Sequence, residues 1–96
     1  MTTEEIRIFT DGILTAIGQP NLTDSESVAL PAVIGDEPTD EELVEIYKAL
    51  AEIINAREFP DDGIQKLNAY AVLHDVDFSG KRKVHNNIFI GASLEN

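Results

Sequence analysis

The chain has 96 residues, of which 18 are acidic and 7 are basic, so its formal net charge at pH 7 is -11. Hydrophobic residues make up 43% of the sequence, which is too much for a disordered acidic segment and enough for one core. We therefore expect a single compact domain over residues 1–96. The sequence contains no cysteine, which excludes disulfides, thiolate metal ligands and cysteine nucleophiles. Direct binding to nucleic acid is not expected, because phosphate groups would repel this charge.

The sequence shows no sign of a targeting signal or a membrane span. Its start contains Glu4 and Glu5 where a secretory signal would be basic, and no apolar run approaches the roughly 18–20 residues that cross a bilayer. A negative surface is also repelled by anionic lipid. We expect a cytoplasmic protein that does not contact the membrane.

The negative charge is concentrated in the first two-thirds of the chain. Residues 1–62 contain fifteen acids and three bases, a net charge of -12, whereas residues 63–96 contain three acids and four bases, a net charge of +1. Together these recover the total of -11. The N-terminal part is therefore the part whose surface can attract a basic partner.

The first predicted element is a helix over 3–17. Thr2 followed three residues later by Glu5 is typical of a capping box, and Gly18 can end the helix. The alternative is a β-hairpin, because the Asp-Gly pair at 11–12 is typical of a type I′ turn and isoleucines alternate around it. We favour the helix because acids in its first turn suit the helix dipole.

Two further capping boxes follow. Thr23 with Glu26 predicts a short helix through Leu30, before Pro31. Thr39 with Glu42 predicts a longer helix over 40–57. Apolar residues fall on one side of this helix, namely Leu43, Ile46, Tyr47, Leu50, Ile53 and Ile54. Glutamates fall on the opposite side, namely Glu41, Glu45 and Glu52, with Lys48 among them, so we predict a negative outer stripe.

After Gly63 the hydrophobic period changes from helical to alternating. The alternating positions are Tyr70, Val72, Val76 and Phe78, then Ile88 and Ile90, with a Ser-Gly turn at 79–80. This predicts an α+β fold in which two or three helices pack on a C-terminal β-hairpin or small antiparallel sheet. Ile64, Leu67 and Ala71 also fit a helix. The alternative is therefore an all-α bundle of four or five short helices.

Two patterns suggest metal chemistry, and we interpret both otherwise. Residues 75–80 resemble the start of a Ca²⁺-binding EF-hand loop, but the twelfth position is Asn86 where that loop has Glu. His74 and His85 would face each other across the predicted hairpin, but Asp75 would point to the other face of the strand. We expect no metal site and no cofactor.

Catalytic motifs are absent: there is no Gly-rich phosphate loop, no H-E-x-x-H and no G-x-S-x-G. The Asp-Ser pair at 24–25 resembles the phosphopantetheine site of acyl carrier proteins, but Glu26 replaces the Leu of that site. We interpret Ser25 as a residue of the first helical turn. The chain is expected not to be an enzyme.

The acidic residues point to a function in binding. We expect the partner-binding carboxylates on helix 40–57 and in the turns at its ends, namely Asp36, Glu37, Asp40, Glu41, Glu45, Glu52, Asp61 and Asp62. A rigid array of carboxylates can imitate the phosphates of nucleic acid or steer rapidly onto a basic surface. The hypothesis is a small acidic interaction protein, an inhibitor or nucleic-acid mimic of the immunity or counter-defence type. Its partner would be a basic protein, such as one that binds nucleic acid.

The alternative hypothesis is a homo-oligomeric accessory protein with a small-ligand site between subunits. It rests on the nearly neutral C-terminal third, where residues 86–90 can form a sheet edge that needs pairing. A monomer at micromolar concentration would remove this alternative.

Overall fold

A computed structural model describes residues 1–78 of the chain, and residues 79–96 lie outside that part. Four helices follow one another: α1 (Thr3–Ala16), α2 (Asp24–Ser27), α3 (Asp40–Asn55) and α4 (Pro60–Leu73). Residues 1–78 contain no strand. The predicted α+β fold is therefore wrong, and the described residues agree with the helical alternative. None of these four helices is both long and apolar enough to traverse a bilayer.

All three predicted capping boxes are present. In the first, the Glu5 N–H donates to Thr2 Oγ1 at 3.1 Å and the Thr2 N–H donates to Glu5 Oε1 at 2.7 Å. The same reciprocal bonds open α2 and α3. Because these bonds favour the ionised carboxylate, they lower the pKa of Glu5 and Glu42. The helix predicted over 3–17 is thus confirmed, and the hairpin alternative is wrong.

The core is built from one face of α1, α3 and α4, from the C-cap of α1 and from two loop residues. It consists of Ile6, Ile13, Leu14, Ile17, Leu22, Val33, Ile46, Tyr47, Leu50, Ile53, Ile54, Leu67 and Ala71. The apolar side predicted for α3 is buried, with Leu43 packed at its margin. Thr10 is buried within α1, where its hydroxyl donates to the Ile6 and Arg7 carbonyl groups of the preceding turn.

Helices α3 and α4 form an antiparallel pair joined by the short turn 56–59. Gly63 lies against Ile54 near the turn, and the two helices pack on each other. Burial, with a smaller contribution from Tyr70, raises the pKa of Tyr47 to about 12. The contact at Gly63 is close: a Cβ there would lie 2.8 Å from both Ile54 Cγ2 and Gln19 Nε2. Glycine therefore sets the closest approach of the two helices.

The chain reverses direction immediately after α4. The Val76 N–H donates to the Ala71 carbonyl at 2.8 Å and the Asp75 N–H donates to the Val72 carbonyl at 3.1 Å. These are the two bonds of a Schellman motif. Asp75 has φ 60°, which is the left-handed conformation that Gly18 adopts at the corresponding position after α1.

This reversal explains why the hairpin prediction is wrong. Tyr70 and Val72, assigned to its first strand, lie in α4, which begins with Pro60 and packs on α3. Val76 and Phe78 both pack on the core, but they do so from a short irregular segment. The predicted Ser-Gly turn and the second strand lie outside the described residues. A helix that packs on α3 buries more apolar surface than half of a two-stranded ribbon can.

Arg57 joins the end of α3 to α2 and to the loop that precedes α2. Its Nε and Nη2 donate to the two carboxylate oxygens of Glu26 at 2.9 and 2.8 Å. Its Nη1 donates to Gln19 Oε1 at 3.1 Å and to the Pro20 carbonyl at 3.2 Å. Both charged side chains are mostly buried. The Asn21 carbonyl also accepts from Nη2. We call Arg57 and its partners Glu26, Gln19, Pro20 and Asn21 the Arg57 network.

The same loop is held from the other side by α1. Arg7 donates to Asp24 Oδ1 at 2.8 Å and to the Leu22 carbonyl at 2.9 Å. Asp11 Oδ1 accepts the Leu22 N–H at 2.8 Å. Residues 19–26 are thus fixed between α1 and the end of α3 by side chains that reach backbone groups.

Replacing the two helical glycines should have opposite effects. Gly63→Ala should destabilise the protein by about 1–2 kcal/mol, because its methyl group must displace the fully buried Ile54. Gly12→Ala is the matched control: it lies within α1 with nothing near its Cβ position, and should gain roughly 0.5–1 kcal/mol. Urea unfolding measures both. Equal gains for the two variants would contradict the close approach at Gly63.

The pairing of Glu26 with Arg57 should make stability depend on pH. The hydrogen bonds from Arg57 lower the pKa of Glu26 from 4.5 to about 2, so this carboxylate stabilises the fold above pH 4.5 and loses that effect as the pH falls towards 2. At pH 7 the protein should exceed Glu26→Gln by about 2–3 kcal/mol in unfolding free energy. The difference should narrow below pH 4.5, as urea titrations at several pH values can measure.

Asp24→Asn is the control for that experiment, because Asp24 pairs with Arg7 but its side chain is 97% exposed. Its effect should be much smaller, since water screens an exposed pair. A stability difference between the wild type and Glu26→Gln that stays constant from pH 7 to low pH would refute the assignment.

Candidate partner-binding surface

All eight predicted partner-binding carboxylates are exposed. Glu41, Glu45 and Glu52 lie on α3, on the side opposite its buried isoleucines and leucine. We call these three residues the α3 stripe. At a rise of about 1.5 Å per residue the α3 stripe extends over roughly 16 Å of the helix axis. The predicted negative outer face of this helix is therefore present.

The other five carboxylates lie at the two ends of α3. Asp36 and Glu37 belong to the loop that leads into α3, and Asp40 is its first residue. Asp61 and Asp62 lie in the first turn of α4, which follows α3 after a short turn. The chain thus places acidic residues before, along and after one helix.

Few positive charges are available to neutralise these acids. Residues 1–78 contain four cationic side chains, and each has a carboxylate partner: Arg7 with Asp24 at 2.8 Å, Lys48 with Glu45 at 3.7 Å, Arg57 with Glu26 at 2.8 Å and Lys66 with Asp62 at 3.2 Å. The two arginines are occupied within the fold. Within the described part, six of the eight candidates have no ion pair, so their charge is directed to solvent.

Some of these acids also have a local role in the helices. Asp40 and Glu41 lie in the first turn of α3, as Asp61 does in α4, where negative charge suits the helix dipole. Glu52 is different. It lies in the last turn of α3, where no basic residue is present and where negative charge is unfavourable. The fold therefore gives no local reason for Glu52.

Phe59 is an exposed residue that sequence reasoning missed. Its side chain is 80% exposed, and it is the N-cap of α4, where it makes no side-chain hydrogen bond to the helix. The other three helices have a threonine there. Glu58, Asp61 and Asp62 surround it in sequence and line a shallow hollow beside it. An apolar residue directly before the Pro that begins a helix takes the position of a polar cap, but this is recognisable only once α4 is known to begin at Pro60.

The metal patterns find no support in the described residues. His74 is the C-cap of α4, and its ring is tilted against that of Tyr70 with the ring centroids 4.3 Å apart, so it is not on a strand that could face position 85. His85 itself, and residues 79–86 of the EF-hand-like pattern, lie outside the described part. In residues 1–78 no group of three or more His, Asp or Glu side chains could hold a metal ion.

The described part of the chain is thus a small acidic helical protein. A scan against protein-family models found no match, and searches of curated proteins and of solved structures found no match either.

Phe59→Thr should stabilise the protein relative to Phe59→Ala. Both variants remove the exposed ring, but only threonine supplies a hydroxyl that can accept a hydrogen bond from the N–H of Asp62. The N-cap threonines of the other three helices make the corresponding bond. The expected difference in unfolding free energy is about 1 kcal/mol. It is measured by urea unfolding. Equal stability of the two variants would contradict position 59 as the N-cap of α4.

Proposed function

We propose that this protein binds a basic protein through the α3 stripe and the acidic turns at the two ends of α3. The observation that supports this most is the exposure of the α3 stripe opposite the buried side of the same helix. A helix packed into a core holds its outer carboxylates at fixed spacing, which a disordered acidic segment cannot do. Fixed like charges raise the on-rate for a basic surface and penalise acidic partners.

The α3 stripe is about as long as a short stretch of one nucleic-acid strand. One strand of B-DNA advances about 3.4 Å per nucleotide, so the roughly 16 Å of the α3 stripe correspond to about five nucleotide steps. The side chains of Lys and Arg that bind phosphates can bind carboxylates equally well. The protein would then act as an inhibitor of the immunity or counter-defence type that occupies the site of the nucleic acid.

Phe59 adds an exposed aromatic side chain to a surface that is otherwise acidic. Binding energy at protein interfaces is concentrated in a few side chains, often aromatic, that are surrounded by polar residues. Phe59 is exposed among Glu58, Asp61 and Asp62 at the end of α3. Glu52 and Phe59 are both unfavourable for their own helices, and residues that oppose local stability are typical of functional sites.

Affinity capture tests the proposal. The full chain, tagged and immobilised, should retain basic proteins from cytosol at low salt, and high salt or duplex DNA should release them. The variant Glu41→Gln/Glu45→Gln/Glu52→Gln should bind the identified partner at least roughly tenfold more weakly at low salt. Phe59→Thr and Phe59→Ala should weaken binding to a similar extent although they differ in stability, which separates binding from folding.

Glu4→Gln is the control for charge alone, because Glu4 is an exposed acid on α1, outside the proposed surface. Three times the loss of binding free energy caused by Glu4→Gln is the loss expected from the change in net charge alone. The proposal fails if no basic protein is retained at low salt. It also fails if the triple variant loses no more binding free energy than three times the loss caused by Glu4→Gln.

The homo-oligomer alternative rests on residues 86–90, which lie outside the described part. It stays a prediction, and molecular mass in solution decides it.

A further inference from the structure

The segment that contains α2 is held at its two ends by apolar burial, but its middle is not. Leu22, before α2, and Val33, after it, are buried in the core at 4% and 3% exposure. No residue from 23 to 32 is buried, and Leu30 packs only against the margin of the core. We call residues 23–32 the α2 clasp. Its position therefore depends mainly on polar contacts.

Two arginines from outside the α2 clasp hold it in place. Arg57 donates to both carboxylate oxygens of Glu26 at 2.9 and 2.8 Å, and Arg7 donates to Asp24 Oδ1 at 2.8 Å. The pair with Asp24 is weak, because this side chain is 97% exposed and water screens its charge. The side chains of Arg57 and Glu26 are only 16% and 23% exposed. Their pair is therefore the principal attachment of the α2 clasp.

The backbone hydrogen bonds of the α2 clasp in the described part of the chain lie within the clasp itself. The Ser27 N–H donates to the Thr23 carbonyl at 3.0 Å, and the Ala29 N–H donates to the Glu26 carbonyl at 3.1 Å. A segment with little buried surface and few attachments opens at a lower free energy than the core beside it. The α2 clasp can therefore detach when the Arg57–Glu26 pair breaks, while its anchored ends stay in place.

This detachment would change the charge beside the proposed binding surface. Arg57 lies in the turn 56–59, four residues before Asp61 of that surface. Its bond to Gln19 Oε1 at 3.1 Å lies outside the α2 clasp, so Arg57 stays at the end of α3. Glu26 moves away with the clasp, and the guanidinium charge that it neutralised then faces solvent. A positive charge at this turn lowers the attraction for a basic surface.

We propose that the α2 clasp is a conformational switch that regulates the acidic surface. In the closed state, which the structure describes, Glu26 neutralises Arg57. In the open state Arg57 repels a basic partner, and α1, α3 and α4 stay folded. A basic partner then binds the closed state more tightly and favours it in return. The regulation rests on the proposed binding function, whereas the opening itself does not.

Paramagnetic relaxation in the full chain tests the opening without any partner. The chain has no cysteine, so Ser25→Cys on the exposed side of α2 gives a single site for a nitroxide label. The label should broaden the amide signal of Arg57. Adding Glu26→Gln should reduce this broadening while the signals of α3 keep their native positions. Asp24→Asn is the matched control, because it removes one carboxylate from the same helix and should retain the broadening.

Hydrogen exchange in the wild type measures the opening without a substitution. The amides of Ser27 and Ala29 should exchange at rates that change little with urea, because a local opening exposes little surface. The slowest amides of α3 should exchange through global unfolding, with the full dependence on urea. Three results would each overturn the switch: equal broadening in Glu26→Gln and Asp24→Asn, loss of the native α3 signals in Glu26→Gln, or exchange of the clasp amides only through global unfolding.

Binding of octalysine tests the regulation. At low salt this peptide should bind Glu26→Gln roughly fivefold more weakly than Asp24→Asn, although the two variants have the same net charge. The reason is that only Glu26→Gln leaves an uncompensated cation at the end of α3. Equal affinities would overturn the regulation. A wild type that does not bind octalysine would contradict the proposed function, and the label and exchange experiments would still decide whether the clasp opens.

Discussion

The pairing of Arg57 with Glu26 is the interaction on which the described fold depends. A helix of four residues such as α2 has no stability of its own, so tertiary contacts must hold it in place. Glu26 closes the capping box of α2 and also binds Arg57 at the end of α3. A mostly buried ion pair is favourable only when its donors and acceptors are satisfied. Here all three guanidinium nitrogens donate, to Glu26, Gln19 and backbone carbonyls.

Because the two arginines bind groups within the fold, the surface of the described part stays strongly negative. Arg7 and Arg57 are two of the four cations in residues 1–78, and both bind the segment 19–26. The carboxylates along α3 consequently have few cations to pair with. The same residues that stabilise the loop therefore increase the negative potential that a basic partner would meet. Stability and surface charge are coupled through these two side chains.

Local sequence patterns predicted most of the helices because the interactions that start a helix are local. Each Thr and Glu of a capping box are three residues apart, so neither bond needs a distant partner. The acidic side of α3 followed from helical spacing for the same reason. Phe59 was not found, because its importance is visible only when position 59 is known to be the N-cap of α4. The Arg57 network was also missed, since its residues are up to 38 positions apart.

The sequence by itself determined where α1, α2 and α3 begin, which side of α3 is buried, and that the protein has a large excess of negative charge. Only the tertiary structure decided that residues 60–73 form a helix. Those residues have both alternating and helical patterns, so local preference does not choose between them. Packing on α3 favours the helix, because Gly63 permits close approach to Ile54 and the i, i+4 pair of Leu67 and Ala71 is then buried. Burial against a distant segment is a property of the folded chain, which no local window contains.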